Sequence, residues 1–482
     1  MDFEVIYDKK KADFDKENLF KKLVEIFGKE NVSTKEIDLF SYSKDYLLLS
    51  VRWTLEGKLA SKPDFIVWPT SAKQIAMLFK LANEVEVPVV PYGSGSGVVG
   101  GAIPLFGGII VDMKKMDKII DINDHNLTAT IQTGKNGMNI ERELNIAGYT
   151  LGHIPQSIYT STLGGYLSHK AAGQFSTKYG KIEDMVISFE AVLPTGEIIK
   201  SKAAPRTSVG PQVDKLLIGS EGTLAIFTET TLRIWPVPEL RALISFAFDT
   251  IEDALTAVRE ILRMQIYPAV VRIYDHDETE RHFNSIPFHK NRCMVVFVCE
   301  GERDLVLLEE KITKKVCTKN KGIDCGQDPV EHWFKTRFIV KEVAQYTPLG
   351  AIVDTIEVSV MWDNAAKMYH ETIEAMKKID GVVTATGHVS HVYPQGAGFY
   401  FSFSGFSAEN PEKFSNKVWD ATMESVVRNG GSIAHHHGIG ITRSKWMETE
   451  WGSIMPLLKK LKQSLDPKNI LNPGKLYDGP IE

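Results

Sequence analysis

The sequence lacks three features: a long apolar run, an excess of basic residues and a cysteine framework. No apolar stretch approaches the ~20 residues of a membrane-spanning helix, and the highly charged N-terminus has no signal-peptide core. The 482 residues include 56 Lys and Arg and 61 Asp and Glu, which give a net charge of −5. This mild acidity argues against nucleic-acid binding, which needs a basic face. We predict a cytoplasmic protein, with peripheral attachment to a membrane as an open alternative.

The four cysteines, Cys293, Cys299, Cys317 and Cys325, are confined to one part of the chain. They form no Cys-x-x-Cys pair, and their spacings fit no usual zinc or iron–sulfur ligand pattern. We therefore expect free thiols in a reducing compartment.

The chain is long enough for two large units, and its apolar periodicity alternates between helical and extended segments. Helices are predicted over 17–27 and 137–147 and after the capping residue Ser71. Strands are predicted at 65–67, 87–90, 109–111 and 127–132. After a proline-rich boundary at 235–238, a strand, a helix and a strand are predicted at 243–248, 252–264 and 269–273.

A glycine cluster, Gly93, Gly95 and Gly97, follows one predicted strand. In a Rossmann fold a helix would begin inside this motif, but the continuation VVGGAIPLFGG leaves no room for one. Asp112 stands where a Rossmann fold would have its ribose-binding acid. Because the helix is missing, we do not expect Asp112 to bind ribose. Small residues still let backbone N–H groups converge on a phosphate. The loop therefore predicts an anion cradle, and segments 156–165, 171–180 and 219–224 have the same small, polar character.

These segments carry a family resemblance. PYGSGSG, STLGG, SxxAAGxxSTKYGxIEDMV, VLPTGEII and GSEGTL resemble the FAD-binding domain of the vanillyl-alcohol-oxidase/para-cresol-methylhydroxylase superfamily, and the resemblance continues through AVVRIYDH, GGSIAHHHGIG and LDPKNILNPGKL. It implies an α+β fold with a two-part FAD-binding domain and an α/β cap domain over the flavin. We assign 1–60 to an N-terminal helical segment, 61–238 to the FAD-binding domain, 239–430 to the cap, and 431–482 to a segment that completes the FAD site.

The resemblance also implies which residues bind FAD. They are Pro91, Tyr92, Gly93, Ser94, Gly95, Ser96, Gly97, Gln156, Ser157, Ser161, Thr162, Gly164, Gly165, His169, Ala171, Ala172, Gly173, Ser176, Gly219, Ser220, Glu221, Gly222, Thr223 and Ile226. Residues 91–101 contain no histidine to tether the flavin, so we expect non-covalent FAD. His153 and His169 lie near other FAD segments and leave a covalent link open.

The candidate catalytic residues lie in the second half of the chain. They are Arg272, His388, His391, Tyr400, His435, His436 and His437. On an extended strand His435 and His437 would point one way and His436 the other.

Two branches of the superfamily compete for the reaction. Flavin dehydrogenases of 2-hydroxy acids usually show GHxGDGNxH and GEHGIG, where this chain reads GHVSHVYPQGAGFY and HHHGIG. His388 and His437 keep histidines of those motifs, and His436 replaces a glutamate. Because these positions hold a divalent metal in some relatives, His388, His391 and His436 are a candidate metal site. His388 and His391 would face opposite ways on a regular strand, which argues against it.

The second branch is alkyl-dihydroxyacetonephosphate synthase, which exchanges an acyl group for an alkoxide without net redox. By resemblance, Tyr400 matches its catalytic tyrosine, Arg272 an active-site arginine, and 435–437 its triple histidine. His388 stands where that family has a phosphate-binding arginine. A neutral histidine cannot make the bidentate grip of a guanidinium, which puts a phosphorylated substrate in doubt.

We therefore predict an FAD-dependent dehydrogenase of a small 2-hydroxy acid, of D-lactate or glycolate type, or a related alcohol. His388 or His437 would serve as base, and Arg272 would hold the carboxylate. Electrons would pass to a quinone, a cytochrome or an electron-transfer flavoprotein, since no NAD site is visible. The alternatives are the synthase reaction and a flavoprotein subunit of a larger redox complex. We expect a homodimer.

Overall fold

The computed structural model describes residues 4–7, 13–284, 291–339, 350–407 and 410–477. The predicted first and last segments therefore extend beyond it at 1–3, 8–12 and 478–482. Helices and strands are mixed along the whole described chain, in agreement with the predicted α+β class. Among the described residues, no helix combines the length and apolarity needed to cross a bilayer.

The helices and strands have the following bounds. The helices are α1 Lys16–Phe27, α2 Glu36–Ser41, α3 Leu48–Leu55, α4 Ala72–Val85, α5 Gly137–Ile146, α6 Leu163–His169, α7 Ser176–Tyr179, α8 Ile182–Met185, α9 Val213–Leu217, α10 Ile251–Arg263, α11 His276–Phe283, α12 Arg303–Lys319, α13 Asp328–Thr336, α14 Ala365–Lys377, α15 Pro411–Arg428, α16 Met447–Trp451 and α17 Met455–Leu465. The strands are β1 Glu4–Val5, β2 Val32–Ser33, β3 Lys58–Leu59, β4 Phe65–Val67, β5 Val89–Tyr92, β6 Ile109–Asp112, β7 Ile119–Asn123, β8 Thr128–Gln132, β9 Tyr149–Thr150, β10 Val186–Val192, β11 Ile198–Lys200, β12 Ile226–Arg233, β13 Trp235–Pro236, β14 Leu240–Phe248, β15 Val270–Tyr274, β16 Cys293–Gly301, β17 Ile323–Gly326, β18 Ala351–Met361, β19 Val382–Tyr393 and β20 Gly396–Phe406.

The predicted elements before residue 150 form close to their expected bounds. Ser71 caps α4 by accepting a hydrogen bond from the Gln74 N–H. Strand β5 begins two residues later than predicted, because the Val87 N–H closes the end of α4 by donating to Ala82 O. Leu127 was predicted to start β8, but its φ of +51° breaks the extended backbone, so β8 begins at the next residue.

The first half of the chain builds two main sheets. One has the order β2-β4-β6-β5, and its strands β4, β5 and β6 are parallel. Because β5 and β6 are parallel neighbours, their carboxyl ends meet at one edge, where the glycine loop 93–97 leaves the sheet. The other sheet is antiparallel, with the order β11-β10-β12-β8-β7.

The second half builds a seven-stranded sheet with the order β17-β14-β16-β15-β19-β20-β18. Helices α10, α12, α14 and α15 pack on this sheet. Segment 176–179 of the first half contacts strands β16 and β19. There Ser176 Oγ meets His391 Nδ1 at 2.8 Å, and Thr177 Oγ1 donates to Val392 O at 3.0 Å. Side chains and backbone groups of the seven-stranded sheet thus contact segment 176–179 of the first half of the chain.

The C-terminal segment returns to both halves. Ser432 forms a bridge with Ser359 at the edge of the large sheet, and Leu471 forms one with Val89 of β5. Asn472 Nδ2 donates to Gly101 O and Glu221 O at 3.0 and 2.8 Å. These bonds hold the tail against the glycine loops. The domain bounds at 60, 238 and 430 stay predictions.

Candidate active site

Two glycines of the loop 93–97 pack too closely on their neighbours to carry a side chain. At Gly95, φ is +65° and an added Cβ would lie 2.0 Å from the Tyr92 hydroxyl oxygen. A Cβ on Gly93 would lie 2.3 Å from Thr162 Oγ1, and a Cβ on Gly222 would lie 2.3 Å from Pro91 Cγ. Segments that are far apart in sequence therefore meet here, with glycines packed against side chains of the neighbouring loops. This is the arrangement of a cradle lined by peptide groups.

No helix forms between β5 and β6, as the sequence predicted. Asp112 is fully buried and accepts hydrogen bonds from Tyr42 Oη, from Trp68 Nε1 at 2.9 Å and from Lys114 N at 2.9 Å. Its carboxylate is engaged within the protein, and the expectation that Asp112 binds no ribose stays a prediction.

Several polar atoms around the cradle are buried and have no hydrogen-bond partner among the described residues. They include Ser220 Oγ, His169 Nε2 and both ring nitrogens of His153. His153 lies edge-on to Tyr166, with ring centroids 4.6 Å apart, and burial lowers its pKa to about 3. Because buried polar groups are normally bonded, these atoms fit a polar ligand such as the predicted FAD.

The other predicted FAD residues do not all lie in the cradle. Gln156 is exposed and Ile226 is buried in an apolar cluster. Ser176 is turned to His391. Glu221 accepts the Ile439 and Gly440 N–H groups at 2.5 and 2.8 Å, so it ties the tail to the cradle. The structure therefore places some of these residues around the cradle and turns others toward different contacts.

Two of the candidate catalytic side chains, His388 and Tyr400, lie in one row across the large sheet, and the others lie beside it. Strand register places Glu357 opposite Tyr400, Tyr400 opposite His388, and His388 opposite Tyr274. Directly opposed residues share a face of the sheet. The His388 ring accordingly stacks on Tyr400 at 5.0 Å and on Tyr274 at 5.4 Å between centroids.

A β-bulge corrects the expectation that His388 and His391 face opposite ways. The pairing of β19 with β20 shifts between Val389 and His391, where Val389 opposes Phe399 and His391 opposes Gly398. The extra residue turns His391 to the same face as His388. Both side chains are buried. A bulge cannot be read from residue spacing, which explains the wrong expectation.

Arg272 lies against His388, with NH2 3.0 Å from Nε2. Since a guanidinium only donates, Nε2 is the acceptor and the imidazole is neutral. Burial lowers the pKa of His388 to about 4, although Glu278, whose Oε2 is 3.7 Å from Nδ1, opposes that shift. The Nε2 lone pair of His388, which a general base would need, therefore already accepts a hydrogen bond from Arg272.

The triple histidine forms a bent loop, so the predicted strand-like alternation of its rings is wrong. The backbone N–H groups of His435, His436 and His437 all donate to the Glu357 carboxylate, at 2.5, 3.2 and 2.8 Å. Arg443 NH1 donates to the same carboxylate at 2.8 Å, and both charged side chains are fully buried. Burial alone would raise the pKa of Glu357, but Arg443 and then the histidines hold it well below its ordinary value. One ionised carboxylate thus fixes the loop.

Two histidines of the loop reach Tyr400. The His437 ring lies edge-on to it at 5.5 Å, and the His436 ring stacks with it at 6.3 Å between centroids. Tyr400 Oη accepts a hydrogen bond from Thr355 Oγ1 at 3.2 Å. Burial raises the pKa of Tyr400 to about 12. The phenol is therefore protonated at neutral pH.

His391, His435 and His436 form a separate group, whose ligand atoms lie within 4.8 Å of one another. The candidate metal group of the sequence is therefore corrected, because His388 is engaged with Arg272 and His435 takes its place. Ring nitrogens of the three are already bonded: His391 Nδ1 to Ser176 Oγ, His435 Nε2 to Tyr393 Oη at 2.9 Å, and His435 Nδ1 to His436 Nδ1 at 2.8 Å. Four of the six ring nitrogens of this group are thus engaged by protein atoms.

Sequence reasoning missed Glu357 and Arg443. Glu357 stands in the strand sequence DTIEVSV, between apolar residues that are buried. A charged residue between buried apolar residues, together with an arginine after the histidine run, could have indicated a buried ion pair.

Comparisons with known proteins agree with this geometry. A family model described as FAD binding domain matches residues 63–202, and one described as FAD linked oxidases, C-terminal domain, matches residues 237–476. The alkyldihydroxyacetonephosphate synthase of Caenorhabditis elegans is 32% identical over 461 residues, which cover 88% of this chain and 77% of that protein. The chain belongs to the FAD-linked oxidase family.

Two further relatives bear on the chemistry. Glycolate oxidase subunit GlcD of Bacillus subtilis is 27% identical over 430 residues, covering 86% of this chain and 90% of that one. A solved alkyldihydroxyacetonephosphate synthase is 26% identical, with a TM-score of 0.79 over 98% of this chain and 86% of its own. This FAD-linked oxidase thus resembles proteins of both branches.

Proposed function

We propose that this protein is an FAD-dependent dehydrogenase of a small 2-hydroxy acid. The observation that carries the proposal is Arg272, which forms no ion pair among the described residues and lies beside a row of neutral rings. An unpaired guanidinium at this place suits a substrate carboxylate, since its fork matches two oxygens. The likeness to a glycolate oxidase subunit supports this choice.

His437 is the proposed base. Its ring is partly exposed and lies beside Tyr400. Burial lowers its pKa to about 4, so it is neutral and can accept a proton. Glu357 Oε1 lies 3.7 Å from His437 Nδ1 and would stabilise the imidazolium that forms when His437 takes the hydroxyl proton.

The residues of the row position the substrate. Arg272 would release His388 to grip the carboxylate, while the Tyr400 phenol donates a hydrogen bond to the hydroxyl oxygen. When bound, FAD supplies the acceptor for the hydride. We propose a quinone, a cytochrome or an electron-transfer flavoprotein as the final acceptor, and non-covalent FAD.

Anaerobic mixing of the holoenzyme with D-lactate or glycolate tests the proposal. We expect the flavin absorbance band to bleach, and His437→Gln to slow the bleaching by about 10²-fold or more. His370→Gln is the matched control, because His370 is an exposed histidine that pairs with Glu252. Bleaching at the wild-type rate in His437→Gln would remove His437 as the base.

Alkyl transfer of the synthase type is the second candidate. It is favoured by Tyr400 with the triple histidine around it, and by the likeness to the Caenorhabditis elegans synthase. Turnover of acyl-dihydroxyacetonephosphate with a fatty alcohol, lost in Tyr400→Phe and retained in the exposed control Tyr46→Phe, would support it. If this turnover occurs and no hydroxy acid bleaches the flavin, the dehydrogenase proposal is wrong.

A further inference from the structure

We propose that Asp45 and His169 form a pair of hydrogen-bond acceptors that binds hydroxyl groups of the FAD cofactor beside Gly97. The pair would extend the cofactor site into the N-terminal segment, since Asp45 lies before residues 63–202, which the family model for an FAD binding domain matches. This inference rests on the proposed function in that it takes FAD as the ligand of the cradle. It adds Asp45, which the family resemblance does not assign to FAD.

The backbone on both sides of Asp45 is bonded to the segment that carries the glycine loop. Tyr92 Oη donates to Lys44 O at 3.0 Å, and the Tyr46 N–H donates to Gly97 O at 2.8 Å. These two bonds fix Asp45 against the loop. Asp45 is only 5% exposed, so its carboxylate is held inside the protein.

One oxygen of the Asp45 carboxylate lacks a partner. Oδ1 accepts the Leu47 N–H at 3.1 Å, whereas Oδ2 is buried and has no hydrogen-bond partner among the described residues. Burial raises the pKa of Asp45 to about 6, although the Leu47 N–H and Lys475 oppose that shift. Buried polar atoms are normally bonded, and a donor at Oδ2 would stabilise the ionised carboxylate.

The His169 ring supplies a second acceptor. Its Nδ1 lies 3.2 Å from Gly165 O. Because a carbonyl oxygen only accepts, Nδ1 carries the hydrogen, and in the neutral ring Nε2 keeps its lone pair. That Nε2 is buried and has no hydrogen-bond partner within the described part of the chain. Both acceptors therefore need a donor that the described protein atoms do not supply.

Both acceptors border one small space beside Gly97. A Cβ built on Gly97 would lie 3.7 Å from Asp45 Oδ2 and 3.9 Å from His169 Nε2, which are ordinary contact distances. Apart from the chain neighbours of Gly97, no other atom of the described residues lies within 4 Å of that position. A hydroxyl group in this space would be close to both acceptors.

The charge of this space selects the part of the cofactor that it can bind. A carboxylate and an imidazole lone pair disfavour phosphate oxygens, which are acceptors and carry negative charge. FAD also has hydroxyl groups on its ribityl chain and on its ribose, and these can donate. A hydroxyl that donates to a carboxylate forms a charge-assisted hydrogen bond. The cradle would thus offer peptide N–H groups to the pyrophosphate and these two acceptors to the hydroxyl groups.

The competing explanation is that Asp45 only fastens the N-terminal segment and that water fills the space. The bond from the Leu47 N–H to Oδ1 would serve that purpose without any ligand, and a buried water commonly bonds otherwise unpartnered polar atoms. The affinity for FAD separates the two explanations, because a space filled by water makes no direct contact with the cofactor.

The experiment measures the release of FAD from the holoenzyme on serial dilution, followed by FAD fluorescence. We expect Asp45→Asn to raise the dissociation constant of FAD about ten-fold, because a neutral amide cannot form the charge-assisted bond. Gly97→Ala should also weaken binding, because its methyl group would fill the space without a clash. It covers the case in which Asp45→Asn fails to fold.

The matched control is Asp354→Asn in the large sheet. Burial raises the pKa of Asp354 to about 6, as it does for Asp45, but Asp354 Oδ2 accepts a hydrogen bond from Trp419 Nε1 at 2.9 Å. We expect this variant to keep the wild-type affinity for FAD, even if its melting temperature falls.

Cofactor analogues identify the hydroxyl group that binds. FAD is exchanged in turn for analogues that lack one ribityl hydroxyl or one ribose hydroxyl. We expect one analogue to bind the wild type more weakly than FAD does, and to bind Asp45→Asn about as well as FAD does, because the shared hydrogen bond is already absent there. The hydroxyl that this analogue lacks shows which part of the cofactor donates to Asp45.

Unchanged dissociation constants of FAD in both Asp45→Asn and Gly97→Ala would overturn the acceptor pair, whatever happens to the melting temperature. So would equal losses of affinity in Asp45→Asn and Asp354→Asn, or analogues that all weaken binding to the wild type and to Asp45→Asn by the same factor. None of these measurements uses a substrate. Failure of hydroxy acids to bleach the flavin would therefore disprove the proposed dehydrogenase and leave this result intact.

Discussion

The cradle and the catalytic row are built in opposite ways. In the cradle, loops 93–97, 161–165 and 219–224 lie close together, because their glycines pack directly against side chains of neighbouring segments. In the row, long side chains of β15, β18, β19 and β20 meet through strand register, and one buried ion pair fixes the loop beside them. The cradle depends on glycines, which have no side chain, whereas the row depends on which side chains the strand register places opposite one another.

This difference determines how each region tolerates change. We expect the cradle to hold the cofactor and to contribute little to the choice of reaction. In and beside the row lie neutral histidines, a protonated phenol and a guanidinium that forms no ion pair among the described residues, so we expect this region to decide the chemistry. The comparison predicts that variants of the row spare the flavin, whereas variants of the cradle lose it.

The largest effect is expected for Glu357→Gln. The change leaves Arg443 and three N–H groups buried around a neutral amide, which should cost about 3–5 kcal/mol of unfolding free energy. Thermal denaturation should show a clearly lower melting temperature, and turnover should fall. Glu229→Gln, which alters a surface pair with Lys200, should change stability by less than about 1 kcal/mol. Equal changes of melting temperature in the two variants would show that the Glu357 carboxylate does not fix the histidine loop.

Gly95→Ala should have the next largest effect and lower the free energy of unfolding by about 1–3 kcal/mol. Gly95 and Gly210 have similar backbones, with φ of +65° and +64°, but a Cβ at Gly210 meets nothing within 4 Å. FAD content after purification should drop only in Gly95→Ala, because the added methyl collides with Tyr92. Equal FAD content in both variants would show that close packing does not maintain the cradle.

A pH-dependent loss of stability should originate in the row. Burial holds the pKa values of His388 and His437 at about 4, below the value of roughly 6.5 in an unfolded chain. Between these values the unfolded chain binds more protons, so stability is full above pH ~6.5 and falls as the pH drops, by about 1.4 kcal/mol per group and pH unit.

Melting temperatures measured from pH 7.5 to pH 5 test this expectation. His388→Gln should flatten the dependence, whereas the exposed control His370→Gln should leave it unchanged. A steeper acid dependence in His388→Gln would mean that His388 is protonated in the folded protein.

Thr355→Val should have the smallest effect. It removes the hydroxyl that donates to Tyr400, at a cost of about 1 kcal/mol. Turnover should fall by a few-fold while FAD content is unchanged. Loss of flavin from this variant would break the separation between the row and the cradle.

Much of the first half could be predicted because its signals are local. The strand before the loop, the missing helix after it and the capped helix α4 each depend on residues within one turn or loop. The remaining errors there came from single backbone conformations, such as the left-handed Leu127. In the second half, the pairing of His388 with Arg272 and the bulge beside His391 depend on strands far apart in the chain.

The sequence by itself determined the family, the cofactor cradle and the candidate catalytic residues, because glycines, caps and motifs act over short distances. Only the tertiary structure decided which of those residues work together. It brought His435 into the group of His391 and His436, bound the lone pair of His388 to Arg272, and placed Glu357 and Arg443 under the triple histidine. The physical reason is that strand register and a bulge set which side chains share a face, and neither is encoded by local spacing.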